Sequence, residues 1–159
     1  MSQDAATLSP HDRVVLAIGR ILSAYEFDVS YNMKGARNAI EGNSGQRYLP
    51  DVIGRKGLLS VLADIRTRGQ RGTQSKTDRG AVQMLQAVLG DFTSQLRRPL
   101  GMIVNPNGIQ EDAAQIAAHF GITVVTIDMP TVKDILALDP VKDRERILAH
   151  ARRFGIVFS

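Results

Sequence analysis

The sequence predicts an α/β domain, a mixed sheet flanked by helices, and three observations carry that prediction. Residues 49–66 hold two short apolar runs joined by Lys56-Gly57, an X-Gly connection that marks a β-hairpin. Residues 100–129 read as strand, helix and strand, a unit of the length that normally makes a parallel crossover. Residues 9–25 and 77–92 repeat apolar side chains at helical spacing. An antiparallel hairpin beside a parallel crossover gives a mixed sheet. At 159 residues the chain is most simply one domain, long enough to bury a core.

Residues 1–8 read as an N-terminal tail. Ser9-Pro10-His11-Asp12 then opens the first helix, with Ser9 as N-cap, Pro10 at the first helical position and Asp12 three residues after the cap. Val14, Val15, Ala17, Ile18, Ile21, Leu22 and Tyr25 give it a broad apolar face. Residues 26–32 alternate as a short strand, with Phe27, Val29 and Tyr31 on one side. Residues 33–47 have no period and contain three glycines, which suits either a flexible insertion or a functional loop. The hairpin follows, with strands over 49–55 and 58–66. After a second loop, Thr77-Asp78 start a helix to Phe92 whose buried stripe is Ala81, Val82, Leu85, Val88, Leu89 and Phe92. A strand over 100–105, a helix over 109–120 and a strand over 122–129 make the crossover unit, with Asn105-Pro106-Asn107-Gly108 as a turn. Two more helices are expected over 131–138 and 140–154, the second with Ile147, Leu148 and Ala151 as a narrow stripe. The last residues make an edge strand or an extended tail.

The chemistry concentrates at the hairpin. Side chains alternate along a strand, so Leu62, Asp64 and Arg66 share one face and Val61, Ala63 and Ile65 the other. The hairpin returns Asp51 to the neighbourhood of Asp64. Two carboxylates on adjacent strands, with a cation two residues beyond, are able to hold a divalent metal, because magnesium takes oxygen ligands and keeps several waters. The same residues equally suit a plain surface hairpin in which Asp64 and Arg66 form a same-face ion pair of little energetic weight.

Pro50-Asp51 followed by Asp64-Ile65-Arg66 resembles the signature of the PD-(D/E)xK nuclease superfamily, which has the restriction-endonuclease-like fold. DIRTRG is similar to the ExKTRG of its Holliday-junction-resolvase and Mrr-like branches, with Asp64 for Glu and Arg66 for Lys. HDRVVLAIGRIL resembles the first helix of resolvase-like members, and GMIVNPNGIQEDAAQIAAHFGITVVTID the late strand–helix–strand of Mrr-like ones. The resemblance covers roughly residues 10–128. It implies a restriction-endonuclease-like core over 9–128, a C-terminal helical extension over 129–159 packed on the same domain, and Mg2+- or Mn2+-dependent hydrolysis of DNA phosphodiesters by a homodimer. By position, Asp51 and Asp64 would ligate the metal, the backbone carbonyl of Ile65 would assist, and Arg66 would stand at the catalytic lysine. Asp12 falls at an acidic position of the first helix that joins the metal site, and is also complete as a capping acid. Arginine is planar and always charged, so Arg66 suits phosphate charge but not proton transfer. That departure keeps a second outcome open, a nuclease-like fold that has lost its chemistry and binds nucleic acid or another protein.

The loops on either side of the hairpin carry Lys34, Arg37 and Arg47, then Arg68, Arg71, Lys76 and Arg79. They are candidates to hold a nucleic-acid backbone, or else solvated charge. A net charge of +4, mostly arginine, is compatible with a polyanionic partner. Aromatic residues are only 5%, with no tryptophan, which argues against an aromatic platform for single strands. The absence of cysteine excludes disulfides and thiolate metal sites. No apolar run approaches a membrane span and the first residues are polar, so a cytoplasmic protein without a membrane partner is expected.

Overall fold

The structure, a computed structural model, describes residues 8–33, 38–67, 76–92 and 99–158. Helix α1 (Pro10–Ala24) leads into strand β1 (Asp28–Tyr31), a two-stranded ribbon of β2 (Ile40–Glu41) and β3 (Arg47–Tyr48), and the hairpin β4 (Val52–Lys56) and β5 (Leu59–Ile65). Helix α2 (Arg79–Gly90), strand β6 (Leu100–Val104), helix α3 (Glu111–Phe120), strand β7 (Thr123–Val125) and helices α4 (Met129–Ala137) and α5 (Arg144–Arg153) complete the order. Five strands form one mixed sheet, β1-β4-β5-β6-β7. The β1–β4 and β4–β5 pairs are antiparallel, whereas the β5–β6 and β6–β7 pairs are parallel.

The alternation along β5 divides the interior in two. Val61, Ala63 and Ile65 face a core built with α1, α4 and α5, through Ile18, Leu22, Ile135 and Ile147. Leu62 faces the other core, with Val82, Leu85 and Leu89 of α2 and Ala113 and Ala117 of α3. The two layers follow from the period-two pattern of the strand meeting the wider period of the helices. Helix α1 begins as its sequence requires: the Ser9 hydroxyl accepts the Asp12 N–H at 3.1 Å, with Pro10 in the first turn. Asp78 caps α2 in the same way, accepting the Ala81 N–H at 3.0 Å.

Several boundaries differ from the sequence expectation. The hairpin turn is Gly57-Leu58, one residue later than Lys56-Gly57, because Lys56 still pairs with Leu59. Gly57 has φ +60° and Leu58 is not left-handed, so the glycine takes the first central position of a type II′ turn. β4 starts at Val52 rather than residue 49, and Leu49 is exposed ahead of it. The segment read as irregular contains the β2–β3 ribbon. Helix α3 starts at Glu111, since Ile109 is held in a bridge to Thr77. Residues 156–158 form no strand. Ile156 is buried, and the Phe158 ring meets the edges of Tyr25 and Phe27 at 5.3 and 5.0 Å.

The C-terminal helices are anchored on α1 by polar as well as apolar contacts. Arg20 Nη1 donates to the carbonyls of Leu136 (2.9 Å) and Leu138 (3.0 Å) at the end of α4. Arg144 Nε donates to the Ala24 carbonyl at 2.8 Å, and the Tyr25 hydroxyl to that of Ile156 at 2.8 Å. No helix among the described residues is long and apolar enough to cross a membrane.

Candidate active site

The strand register brings the candidate residues to one end of the sheet. Tyr31 pairs with Val52 and Val52 with Ala63, so one step further Asn32, Asp51 and Asp64 stand side by side. Asp51 is fixed from three directions. Its Oδ2 accepts the Ile65 N–H at 2.7 Å, taking the place of a ladder acceptor, and its carbonyl accepts the Asn32 N–H at 3.0 Å. The Asn32 side-chain amide holds the preceding Pro50 carbonyl. Its third contact comes from α1, where His11 Nε2 lies 3.3 Å from Asp51 Oδ1. The other ring nitrogen, Nδ1, lies 3.3 Å from Asp12 Oδ1. His11 therefore bridges the two acids.

Asp64 sits across from Asp51, and Arg66 Nε donates to its Oδ2 at 2.9 Å. The Arg66 main chain is held as well, its N–H bonding the Val104 carbonyl at 2.8 Å and extending the β5–β6 ladder. Burial raises the Asp64 pKa above the usual carboxylate value, with Arg66 opposing and the Asp51 carboxylate adding to the rise. The bond to Asp51 raises the pKa of His11, against the opposing effect of burial, and Asp12 adds to it. His11, Asp51, Asp64, Ile65, Arg66 and Thr67 line one open cleft of about 480 Å³.

This donor set fits a magnesium-type ion in one respect. Two carboxylates stand side by side, and the Asp64 pKa is raised chiefly by burial, with a smaller contribution from Asp51. The described residues contain no group of three or more His, Asp or Glu side chains placed to hold a metal ion. Water and a substrate phosphate would therefore have to supply the rest of such a shell.

The structure thus brings Asp51, Asp64, Ile65 and Arg66 together, and links Asp12 to them through His11. Arg47, Lys76 and Arg79 are exposed but line neither this cleft nor the apolar recess beside it. Lys34, Arg37, Arg68 and Arg71 lie outside the described residues. Two contributors escaped the sequence reading. Neither His11, in the first turn of α1, nor Asn32, at the end of the first strand, stands out in the sequence as a site residue. The partners that place them at the site, Asp51 for His11 and Pro50 for Asn32, lie 40 and 18 residues away in sequence.

No protein-family model matches the chain, and no curated protein sequence does. Among solved structures, a protein of unknown function, AF1548, has a TM-score of 0.58 at 12% identity, covering 91% of this chain and 97% of that one. A repair endonuclease from Pyrococcus abyssi has a TM-score of 0.51 at 14% identity, covering 80% of this chain and 50% of the endonuclease. The fold is restriction-endonuclease-like. The present chain spans about half the length of the P. abyssi enzyme, and at these identities the likeness concerns the fold.

Proposed function

We propose that the protein is a metal-dependent DNA nuclease whose centre is Asp51, Asp64 and Arg66. The observation that carries this reading is the carboxylate pair, Asp51 and Asp64 side by side at the sheet end and lining one open cleft with Arg66. Asp51, Asp64 and the Ile65 carbonyl would hold the ion, with Asp12 approaching through His11. When bound, Mg2+ or Mn2+ supplies Lewis-acid stabilisation of a phosphoryl oxygen and acidifies a water. The protein's own groups do the positioning. His11 and the Ile65 N–H fix the two oxygens of Asp51. With Nε on Asp64, the planar fork of Arg66 has the shape to take non-bridging phosphate oxygens and offset their charge. Arg47, Lys76 and Arg79, together with Lys34, Arg37, Arg68 and Arg71, would track the backbone without reading sequence. The same reading takes the protein as a homodimer, which sedimentation tests.

A second reading is favoured by the Arg66–Asp64 contact itself. A guanidinium that occupies a carboxylate oxygen at 2.9 Å competes with a metal there, and arginine carries no proton. The fold would then bind nucleic acid without cutting it. Labelled single-stranded, duplex, flap and four-way-junction DNA, incubated with Mg2+ or Mn2+ and then with chelator, separates the two. Metal-dependent cleavage that disappears in Asp64→Ala supports the nuclease. Cleavage surviving in the Asp51→Ala/Asp64→Ala double variant rejects this centre. Binding alone by the wild type, with cleavage gained in Arg66→Lys, establishes the second reading.

A further inference from the structure

Beside the carboxylate cleft lies a recess of about 200 Å³, and the two share Asp64 and Arg66. One wall is the chain leaving β3, Tyr48-Leu49-Pro50, and the facing wall is α2 through Met84 and Val88. Leu62 of β5 lies between them. Apart from Asp64, Arg66 and the Tyr48 hydroxyl, its side chains are apolar.

The recess is a built feature of the fold. Asp91, just past α2, accepts the Tyr48 hydroxyl at 2.8 Å, the Ser44 hydroxyl at 2.6 Å and the Ser44 N–H at 2.9 Å. Those bonds pin the β2–β3 ribbon to the helix, while Asn32 holds Pro50 from the other side. Met84 is nevertheless 65% exposed and Leu49 49% exposed, so two large apolar side chains stand at the rim uncovered. Met84 and Val88 are four apart on α2 and border its core stripe: Val88 is half-buried against that core, Leu85 reaches the recess as well, and Met84 stands outside.

We propose that this recess receives one unstacked nucleobase, from the nucleotide whose phosphate meets Arg66. DNA with an unpaired nucleotide beside the scissile phosphate would then bind better than continuous duplex. The inference rests on the nuclease reading above. An occupant must combine a flat apolar body with an anionic end at Arg66, and a nucleotide joins the two through one sugar. A paired, stacked base presents only its edges and has to leave the stack to enter, whereas an unpaired base has largely met that cost already. Among the described residues the one hydroxyl lining the recess is committed to Asp91, so little is left to read base edges, and the preference concerns pairing rather than sequence. A single apolar slot of this kind also agrees with a chain too poor in aromatics for an extended stacking platform.

The test is equilibrium binding by fluorescence anisotropy in chelator, with wild type and the exposed-site variants Leu49→Ser and Met84→Ser. Two DNAs are compared, a fully paired duplex and the same duplex carrying one unpaired 2-aminopurine. The expected result is about tenfold tighter binding of the bulged duplex, consistent with one buried base, falling toward parity in both variants. The 2-aminopurine in the complex should also be shielded from acrylamide. Equal affinity for the two DNAs, or a preference that survives both variants, overturns the recess proposal and leaves the nuclease reading standing. No binding of either DNA overturns both. Unchanged melting temperatures of the two variants show that the readout is not a folding defect.

Discussion

Asp64 is the residue at which stability and chemistry oppose each other. Its carboxylate is partly buried, it faces Asp51, and the Arg66 guanidinium offsets the two charges only in part. A metal-free domain therefore carries an electrostatic penalty that a neutral isostere removes. Asp64→Asn keeps an oxygen to accept the Arg66 Nε–H and deletes the charge. It should raise stability by about 1 kcal/mol, the usual scale for relieving a strained active-site residue, while abolishing metal-dependent cleavage. Thermal unfolding in chelator, run beside the cleavage assay, checks both halves. A lower melting temperature would mean that the ion pair with Arg66 outweighs burial and the repulsion from Asp51. Which acids matter was legible in the sequence, because alternation puts Asp64 and Arg66 on one face and the hairpin returns Asp51. Their supports were not legible: the contacts of His11 and Asn32 depend on how α1 and β1 lie against the hairpin, and no local period encodes that.

Helix ends show the same divide between local and tertiary information. α1 and α5 finish in the same motif. The Phe27 N–H bonds the Leu22 carbonyl (3.0 Å) and the Glu26 N–H that of Ser23 (2.9 Å), as Ile156 bonds Ala151 (2.9 Å) and Gly155 bonds Arg152 (3.1 Å). The left-handed position is Gly155 in one and Glu26, at φ +72°, in the other. Glu26→Gly should stabilise the protein by up to about 1 kcal/mol in denaturant titration, since glycine lacks the Cβ penalty there and offsets part of it only through unfolded-state entropy. The Glu26–Arg144 contact at 3.6 Å is exposed and contributes little against this. At the start of α4, Asp128 Oδ1 accepts the Thr131 N–H at 2.7 Å, and bonds from Thr131 hold the Asp128 pKa below its usual value. A lowered folded-state pKa contributes stability above the unfolded pKa and loses it as pH falls through the folded one. Asp128→Asn retains the cap without the charge, so the acid limb of the stability profile should flatten in that variant, as followed by thermal unfolding from pH 7 to pH 3. An unaltered limb would place the acid sensitivity elsewhere.

The mixed sheet was the part of the whole molecule most open to sequence reasoning. β6 is buried over Gly101–Val104 and α3 follows it with alternating small and polar residues, so strand, helix and strand announce themselves. The boundaries were decided by particular bonds. Buried Asn105 donates to the Thr77 hydroxyl at 3.0 Å, which ties the start of α2 to the end of β6 and delays α3. The hairpin turn moved by one residue because a type II′ turn takes glycine first. The C-terminal helices, expected as an extension packed on the same domain, contribute side chains to its core. Val132, Ile135, Ile147, Ala151 and Ile156 are almost fully buried, in the same cluster as Val14, Ile18, Leu22 and Ile65. Removing them would expose the side of α1 that they cover, and would leave Arg20 without its carbonyl partners at the end of α4. The four large aliphatic side chains in this set each contribute on the order of 2 kcal/mol by burial, a total comparable to the whole stability of a typical domain. A chain ending at residue 128 should therefore fail to fold, with no cooperative melt by circular dichroism and no cleavage on any substrate. A truncated chain with a sharp unfolding transition would instead make residues 9–128 an independent unit and the helices a true accessory.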